Sequence, residues 1–264
     1  MEDKLLCEEN YFSKEMQMHY IGSSQIKDFQ ECEAKALAKL LGEWVEEPST
    51  SMLVGSYVDA HFSGSLDLFK AQHPEILKKD GDLKAEYVAA DYIINRIERD
   101  EMMMKYLGGQ KQTIFTGSIS GEGYKLPVKV KIDSLFPEKA IVDLKIVRDL
   151  EPLWNDKTKE KQNFIDFWNY PQQASLYQEI VRQNTGKQLP YYIAVATKEK
   201  EPDIALLGIP QEVLDAKMTI IKEILPRIYD VKTQKEAPVR CEKCDYCKFT
   251  KKLTSENIID YRNL

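Results

Sequence analysis

The sequence lacks the features of a membrane or exported protein. No apolar run approaches the length of a membrane span, although 43% of the 264 residues are hydrophobic. The first residues carry neither the basic start nor the long apolar run of a signal peptide. We therefore expect a cytoplasmic protein, and the length allows one large domain or two small ones.

Basic residues are outnumbered by acidic ones. Only 37 Lys and Arg residues stand against 43 Asp and Glu residues, so the net charge at pH 7 is −6. This balance argues against a generally basic protein that coats nucleic acid. An acidic enzyme that acts on nucleic acid must bind it through a local basic surface together with cations.

Cysteine is scarce, but most of it is clustered. Cys241, Cys244 and Cys247 follow one another at C-x2-C-x2-C spacing among polar residues, and only Cys7 and Cys32 lie elsewhere. In a reducing cytoplasm such clusters bind metal more often than they form disulfides. The run is similar to the cluster-binding run of ferredoxins, and a fourth ligand is missing locally.

The most informative stretch runs from residue 132 to residue 147. It reads as the end of one strand, a short turn and a second strand. Period-two alternation places Asp143 and Lys145 on the same face of the second strand, and a hairpin-like return brings Asp133 beside Asp143. Two carboxylates beside an ammonium suit a hard divalent cation, Mg²⁺ or Mn²⁺, with a water held next to the lysine.

The same pattern has a simpler explanation. Asp and Lys two apart on a strand are common as a solvated face or as a cross-strand ion pair. Here the flanking residues 140–142 and 146–147 are too apolar for an ordinary surface strand. Charges on a central strand need pairing or a bound metal, so the flanks favour the metal site.

The spacing of Asp133, Asp143 and Lys145, written Asp-(x9)-Asp-Leu-Lys, resembles the core of the PD-(D/E)XK nuclease superfamily. Downstream, Gln173 and Tyr177 resemble the Gln-x3-Tyr motif of its RecB-like branch. Among the members of that branch, the order and spacing of the motifs are most similar to phage and prophage RecE-like exonucleases.

The resemblance implies a fold, a reaction and partners. The fold is α/β, with a mixed central sheet flanked by helices in an αβββαβ core, and the alternation of predicted elements independently favours an α/β sandwich. The reaction is Mg²⁺- or Mn²⁺-dependent hydrolysis of phosphodiester bonds at the ends of double-stranded DNA, in phage-type recombination. A single-strand annealing protein is the implied partner, and similar exonucleases form homo-oligomers.

The resemblance also assigns roles to the central residues. Asp133 and Asp143 hold the metal together with the Leu144 carbonyl. Lys145 orients the attacking water or helps to deprotonate it.

Four further side chains are candidates for this site. Gln173 and Tyr177, four apart on one helical face, either cap a packed surface or touch the DNA backbone and steady the metal site. Asp59 stands where the branch usually has a His, and it is either a solvated helix residue or a further metal ligand. Glu86 is an alternative acidic residue, although a first-turn Glu is also favoured by the helix dipole.

Some RecB-like nucleases clamp an iron–sulfur cluster with one N-terminal and three C-terminal cysteines. By that resemblance Cys32 joins Cys241, Cys244 and Cys247 around a [4Fe–4S] cluster. Zn²⁺ with four thiolates would satisfy the same ligands, and an unmetallated thiol cluster is a third possibility. The metal would hold the ends of the domain together and take no part in hydrolysis.

Local patterns give the expected elements of one domain spanning residues 1–264. Residues 1–22 are expected to be irregular, and residues 155–162 to form a polar surface loop. Helices are predicted over residues 23–41 with Cys32 in the middle, 52–68, 82–107, 171–183 and 210–229. Strands are predicted over residues 113–118, 124–133, 140–147, 191–197 and 203–209.

A second hypothesis belongs to another class of protein. The chain would be a non-catalytic DNA-binding or assembly module, whose cysteine site folds a recognition element. Such a module would tolerate the loss of Asp133, Asp143 and Lys145. All three are present, which favours the nuclease.

Overall fold

The computed structural model describes residues 6–156, 158–255, 258–260 and 262. Its centre is a five-stranded mixed sheet in which the third strand along the chain lies in the middle. The predicted α/β fold class, with a mixed sheet flanked by helices, is confirmed. The strands of this sheet, in spatial order, are β1 (Gln110–Gly121), β2 (Tyr124–Phe136), β3 (Ala140–Val147), β6 (Tyr191–Thr197) and β7 (Ile204–Gly208).

The pairing of the strands explains the connections between them. β1 pairs with β2, β2 with β3, and β6 with β7 in antiparallel fashion, whereas β3 and β6 run parallel. Parallel neighbours cannot be joined by a tight turn, so the chain crosses over between them. The crossover contains β4 (Leu153–Asn155), β5 (Glu160–Gln162), α8 (Phe164–Phe167) and α9 (Tyr170–Thr185).

The remaining helices cover both faces of the sheet. None within the described part of the chain is long and apolar enough to cross a membrane. A short 3-10 helix spans Pro74–Ile76. The helices are α1 (Lys14–His19), α2 (Ser23–Glu31), α3 (Glu33–Leu41), α4 (Thr50–Ser63), α5 (Leu66–Gln72), α6 (Ala85–Glu98), α7 (Glu101–Leu107), α10 (Gln211–Lys232) and α11 (Asp245–Phe249).

Alternation along β3 divides the apolar side chains between two cores. Ile141 and Val147 belong to the core formed with α2, α3, α9 and α10. Val142 and Leu144 belong to the core formed with α4, α6 and α7. Because both faces of this strand are covered, the polar residues Asp143 and Lys145 project between packed elements and not into open solvent.

The helix predicted over residues 23–41 is two helices, and Cys32 is the break between them. Its backbone is extended, with φ −163° and ψ 107°, and its Sγ accepts a hydrogen bond from the Lys35 N–H (3.5 Å). The Ala34 N–H donates to the Val239 carbonyl (3.1 Å). The prediction was wrong here because a strand-like contact with a distant segment outweighs local helix propensity.

Two other predicted helices are also divided. The prediction over residues 82–107 splits into α6 and α7, because the Asp100 side chain accepts from the Met103 N–H (2.9 Å) and begins a new helix. The prediction over residues 52–68 splits into α4 and α5 at Gly64, whose φ of 80° ends α4.

The segments predicted to be irregular are ordered where the structure describes them. Residues 155–162 contribute to a small antiparallel hairpin of β4 and β5. In the N-terminal segment, the Ile21 N–H donates to the Pro127 carbonyl (2.8 Å), and the Ile21 carbonyl accepts from the Lys129 N–H (3.0 Å). The N-terminal segment therefore lies against β2 in the manner of a short strand.

Two buried lysines hold the same segment in place. The Lys129 ammonium donates to the Tyr11 carbonyl. The Lys232 ammonium donates to the carbonyls of Gln17 (2.9 Å) and Tyr20 (2.6 Å) and to Gln25 Oε1 (2.9 Å). Three acceptors match the three N–H bonds of an ammonium, which is why a lysine can be tolerated inside the protein.

Candidate active site

The site begins where β2 and β3 separate. Their antiparallel pairing ends at Ser134 and Val142. One step further the same register would set Asp133 opposite Asp143, but here the Asp133 carboxylate accepts a hydrogen bond from the Leu144 N–H (2.9 Å). The separation leaves room for both carboxylates beside the central strand.

These carboxylates lie in a cleft of about 780 Å³. Six basic and four acidic side chains line it, in a chain whose net charge is −6. The cleft is therefore more basic than the protein as a whole. Of the residues that the sequence predicted for this site, the structure brings together all but the alternative Glu86: Asp59, Asp133, Asp143, Leu144, Lys145, Gln173 and Tyr177.

Lys145 forms a buried ion pair in this cleft. Its Nζ lies 2.5 Å from Asp143 Oδ2, and the side chains of the pair are 20% and 5% exposed. The Tyr170 ring centroid is 5.3 Å from the same ammonium. Burial opposes the charge, but Asp143 and Asp133 outweigh it and raise the pKa of Lys145 to about 12.

The three aspartates crowd negative charge into the cleft. Removal from water, together with the carboxylates of Asp143 and Asp59, raises the pKa of Asp133 well above its usual range. Burial and Asp143 also raise the pKa of Asp59, although the ammonium of Lys131 partly opposes this. Oxygen donors that repel one another in this way fit a hard divalent cation, which would neutralise them.

The helix α9 presents the Gln-x3-Tyr pair to the same site. Gln173 Nε2 donates to Asp143 Oδ1 (2.7 Å), so this amide fixes the carboxylate on the side away from Lys145. Tyr177 is four residues further on, with its ring centroid 6.5 Å from that of Tyr191. Burial raises the pKa of Tyr177 well above its usual range, so the hydroxyl remains protonated.

The two candidate acidic residues on helices occupy different places. Asp59, on α4, lines the cleft. Glu86, on α6, is exposed and is absent from the cleft wall. Nearby on α4, His61 pairs with Glu98 (Nε2 to Oε1, 2.8 Å). Of the acidic candidates on helices, Asp59 is therefore the one that accompanies Asp133 and Asp143.

Gln112 is a site residue that the sequence did not indicate. It lies in β1 between the partners of Ser134 and Ile132, hence across from Asp133, and its φ of 48° is left-handed. Its Nε2 is 3.4 Å from both carboxylate oxygens of Asp59. Its Oε1 is buried without a hydrogen-bond partner among the described residues. No local signal marks a left-handed glutamine within a strand.

The cysteines form a separate site between Cys32 and the C-terminal segment. The Sγ atoms of Cys32, Cys241, Cys244 and Cys247 all lie within 4.8 Å of one another. Cys32 and Cys247 are 3.6 Å apart, and Cys241 and Cys247 are 3.9 Å apart. Backbone N–H groups of Lys243 and Cys244 lower the pKa of Cys241 to about 6, which favours the thiolate that a metal needs. Burial raises the pKa of Cys244 to about 12 and also raises the pKa of Cys32.

A mixed sheet whose central strand carries Asp and Lys two apart, with a second Asp from the neighbouring strand, is the arrangement of a PDDEXK-like domain. The PDDEXK-like domain of unknown function DUF3799 matches residues 22–250. The chain belongs to this family.

One solved structure is similar to nearly the whole chain. A protein of Eubacterium rectale named "Putative exonuclease" is 42% identical, with 98% of each chain covered and a TM-score of 0.92. The structure of SSO0001 is 13% identical over 85% of this chain and 94% of that chain, and its TM-score of 0.31 is too low to support an argument. Among curated proteins, none matches significantly.

Proposed function

We propose that the protein is a metal-dependent nuclease that hydrolyses phosphodiester bonds at DNA ends. The observation that carries this proposal is the convergence of Asp59, Asp133 and Asp143 around the Lys145 ammonium in one cleft. Membership of the PDDEXK-like family and the name of the Eubacterium rectale relative support it.

In this proposal Asp133, Asp143 and Asp59, with the Leu144 carbonyl, hold one or two divalent cations. Bound Mg²⁺ or Mn²⁺ would polarise the phosphate and stabilise the charge that develops during hydrolysis. The Lys145 ammonium lies 2.5 Å from Asp143 Oδ2, and its three N–H bonds include donors for the attacking water and a phosphate oxygen.

Gln173 acts in this proposal as a positioning residue. Its amide holds Asp143 Oδ1, so the carboxylate cannot rotate away from its place beside Lys145. Tyr177 keeps its proton and can donate a hydrogen bond towards a phosphate in the cleft.

We extend the proposal to the RecB-like branch and to the RecE-like exonucleases within it. The support is the Gln173-x3-Tyr177 pair, which faces the aspartates in space as well as following them in sequence. This assignment would give the enzyme a role in phage-type recombination. It would act on duplex ends beside a single-strand annealing protein and could assemble as a homo-oligomer.

The test compares digestion of end-labelled linear duplex DNA and closed circular duplex DNA in the presence of Mg²⁺. We expect loss of the linear substrate only, and a reduction of at least about 10²-fold in Lys145→Ala and Asp143→Ala. Lys187→Ala is the matched control, because Lys187 forms an exposed ion pair with Glu138 outside the cleft.

Two outcomes would contradict all or part of this proposal. Retained DNA binding without cleavage of either substrate by the wild type would favour the non-catalytic binding module. Cleavage of the circular substrate would retain a nuclease and remove the exonuclease assignment.

We also propose that the four clustered cysteines bind a single metal ion. Tetrahedral Zn²⁺ with Zn–S bonds of about 2.3 Å separates its sulfur ligands by roughly 3.8 Å. Two of the Sγ separations, 3.6 Å and 3.9 Å, match this spacing, and all four Sγ atoms lie within 4.8 Å of one another. A [4Fe–4S] cluster, which places several atoms between the thiolates, needs a wider cage. The spacing therefore favours Zn²⁺ over the iron–sulfur cluster.

Metal analysis of protein purified without oxygen tests this choice. We expect about one zinc per chain and no visible absorption band in the wild type and in Cys7→Ser. Cys32→Ser should lose the zinc and unfold at lower urea. About four irons per chain, with a broad visible absorption, would identify the cluster instead.

A further inference from the structure

Two exposed aromatic rings line the cleft that contains the aspartates. Phe12, in the N-terminal segment, is 69% exposed, and Trp168, between α8 and α9, is 43% exposed. Most exposed large hydrophobic side chains of the described residues lie outside this cleft. Aromatic rings held open to solvent in a cleft that also holds six basic side chains are suited to stacking against a ligand with a flat apolar face.

Each ring has a lysine ammonium over it. Lys131 Nζ lies 5.2 Å from the Phe12 ring centroid, and Lys27 Nζ lies 5.1 Å from the Trp168 ring centroid. Within the described part of the chain, neither ammonium has a carboxylate within ion-pair distance. We call Phe12 with Lys131 and Trp168 with Lys27 the ring–lysine pairs.

The chemistry of a ring–lysine pair matches that of one nucleotide. A base stacks on the ring face that the ammonium does not cover, while the ammonium over the other face neutralises the phosphate of the same or the next nucleotide. Phosphate contacts alone would require only lysines, and a purely apolar ligand would not require free ammonium groups. The combination selects a polyanion with exposed flat rings.

Duplex DNA does not offer this combination along its length. Its base faces are covered by stacked neighbours, and only its edges and phosphates are open to a protein. Unpaired nucleotides expose their base faces. We propose, building on the nuclease function above, that the cleft receives an unpaired strand whose bases stack on Phe12 and Trp168.

The substrate that reaches the aspartates is then a single strand, or a strand separated from its complement at the end of a duplex. The ring–lysine pairs contact its nucleotides in the cleft. A continuous duplex would be held more weakly, because it could use the lysines but not the rings.

Binding without hydrolysis tests the proposal. Fluorescence anisotropy of a labelled oligothymidylate is measured in the presence of a chelator, with unlabelled single strand and closed circular duplex, which has no ends, as competitors. We expect Phe12→Ala and Trp168→Ala each to weaken single-strand binding by about 5- to 100-fold, with little change for duplex. Phe12→Tyr and Trp168→Phe keep a ring and should bind as the wild type does.

Tyr92→Ala is the matched control, since Tyr92 is 64% exposed on α6 and lies outside the cleft. Because Phe12 is largely exposed, its alanine variant should remain folded, which a thermal melt checks. Unchanged single-strand binding in both alanine variants would overturn the proposal. So would an equal loss for duplex, or an equal loss in the variants that keep a ring.

The two levels of proposal can fail separately. If the wild type digests DNA but the alanine variants bind single strands normally, the nuclease stands and the stacking site is wrong. If the rings are needed for binding but no polynucleotide is hydrolysed with Mg²⁺, the stacking site stands and the nuclease is wrong.

Discussion

Lys145→Met removes the charge from the buried ion pair while keeping much of the length of the side chain. The ammonium is 2.5 Å from Asp143 Oδ2, and both side chains are largely buried. Removing one member of such a pair leaves an uncompensated charge and costs about 3–5 kcal/mol. We expect that loss in the free energy of unfolding at neutral pH without divalent cations, and a fall in Tm of roughly 10 °C.

The assay is urea denaturation followed by circular dichroism, with and without Mg²⁺. A cation that binds only the folded protein stabilises it by mass action, so Mg²⁺ should recover part of the loss. Adding Asp143→Asn to Lys145→Met should also restore stability, because the unpaired charge disappears. Lys187→Met breaks an exposed pair and should cost less than about 1 kcal/mol.

The reasoning would be refuted by a loss in Lys145→Met no larger than that in Lys187→Met. A double variant as unstable as the single variant would refute it too, since the cost would then come from packing and not from charge.

Three further predictions concern single residues. Gln112→Gly should relieve the left-handed backbone and raise the free energy of unfolding by about 1 kcal/mol. Hydrolysis by this variant should need more Mg²⁺, because the Gln112 amide contacts Asp59, and an unchanged Mg²⁺ titration would contradict this link to the metal site. Gly109→Ala should lower the free energy of unfolding by about 1–3 kcal/mol, because the new Cβ would lie 2.6 Å from the Leu135 carbonyl oxygen. An unchanged urea midpoint would disprove this close approach. Burial and the Lys129 ammonium lower the pKa of Lys232 to about 7. Between about pH 7 and pH 10 the folded protein therefore binds fewer protons than the unfolded chain, and its stability should rise with pH. An equal rise in Lys232→Met would contradict this.

Much of the sheet could be predicted because its signals are local. The run from 140 to 147 is apolar on both sides of Asp143, and β3 occupies those residues. β1 was predicted too short, at residues 113–118, because its polar ends are ordered by pairing with β2 along its whole length. The pattern of Asp133, Asp143 and Lys145 predicted that these side chains lie together, because strand geometry determines which residues share a face.

The features that were missed depend on distant contacts. The break at Cys32 relies on Val239, whose position relative to α3 no local pattern contains. Phe12 lies in a segment with no periodicity, and its place in the cleft follows from the pairing of Ile21 with β2. The choice between Asp59 and Glu86 likewise needed the packing of α4 and α6.

The cysteine site also has a consequence for the order of events during synthesis. Cys32 and Cys247 are 215 residues apart, so the first thiol leaves the ribosome long before the last one is added. The Val239 carbonyl, which accepts from the Ala34 N–H, becomes available only once residue 239 is made, and the set of four cysteines is complete only once residue 247 is made. In every shorter nascent chain Cys32 lacks at least one of its three neighbouring thiols. If the proposed metal binds, its loading reports that the polypeptide has been made as far as Cys247, and a nonsense product that ends earlier would lack the full ligand set.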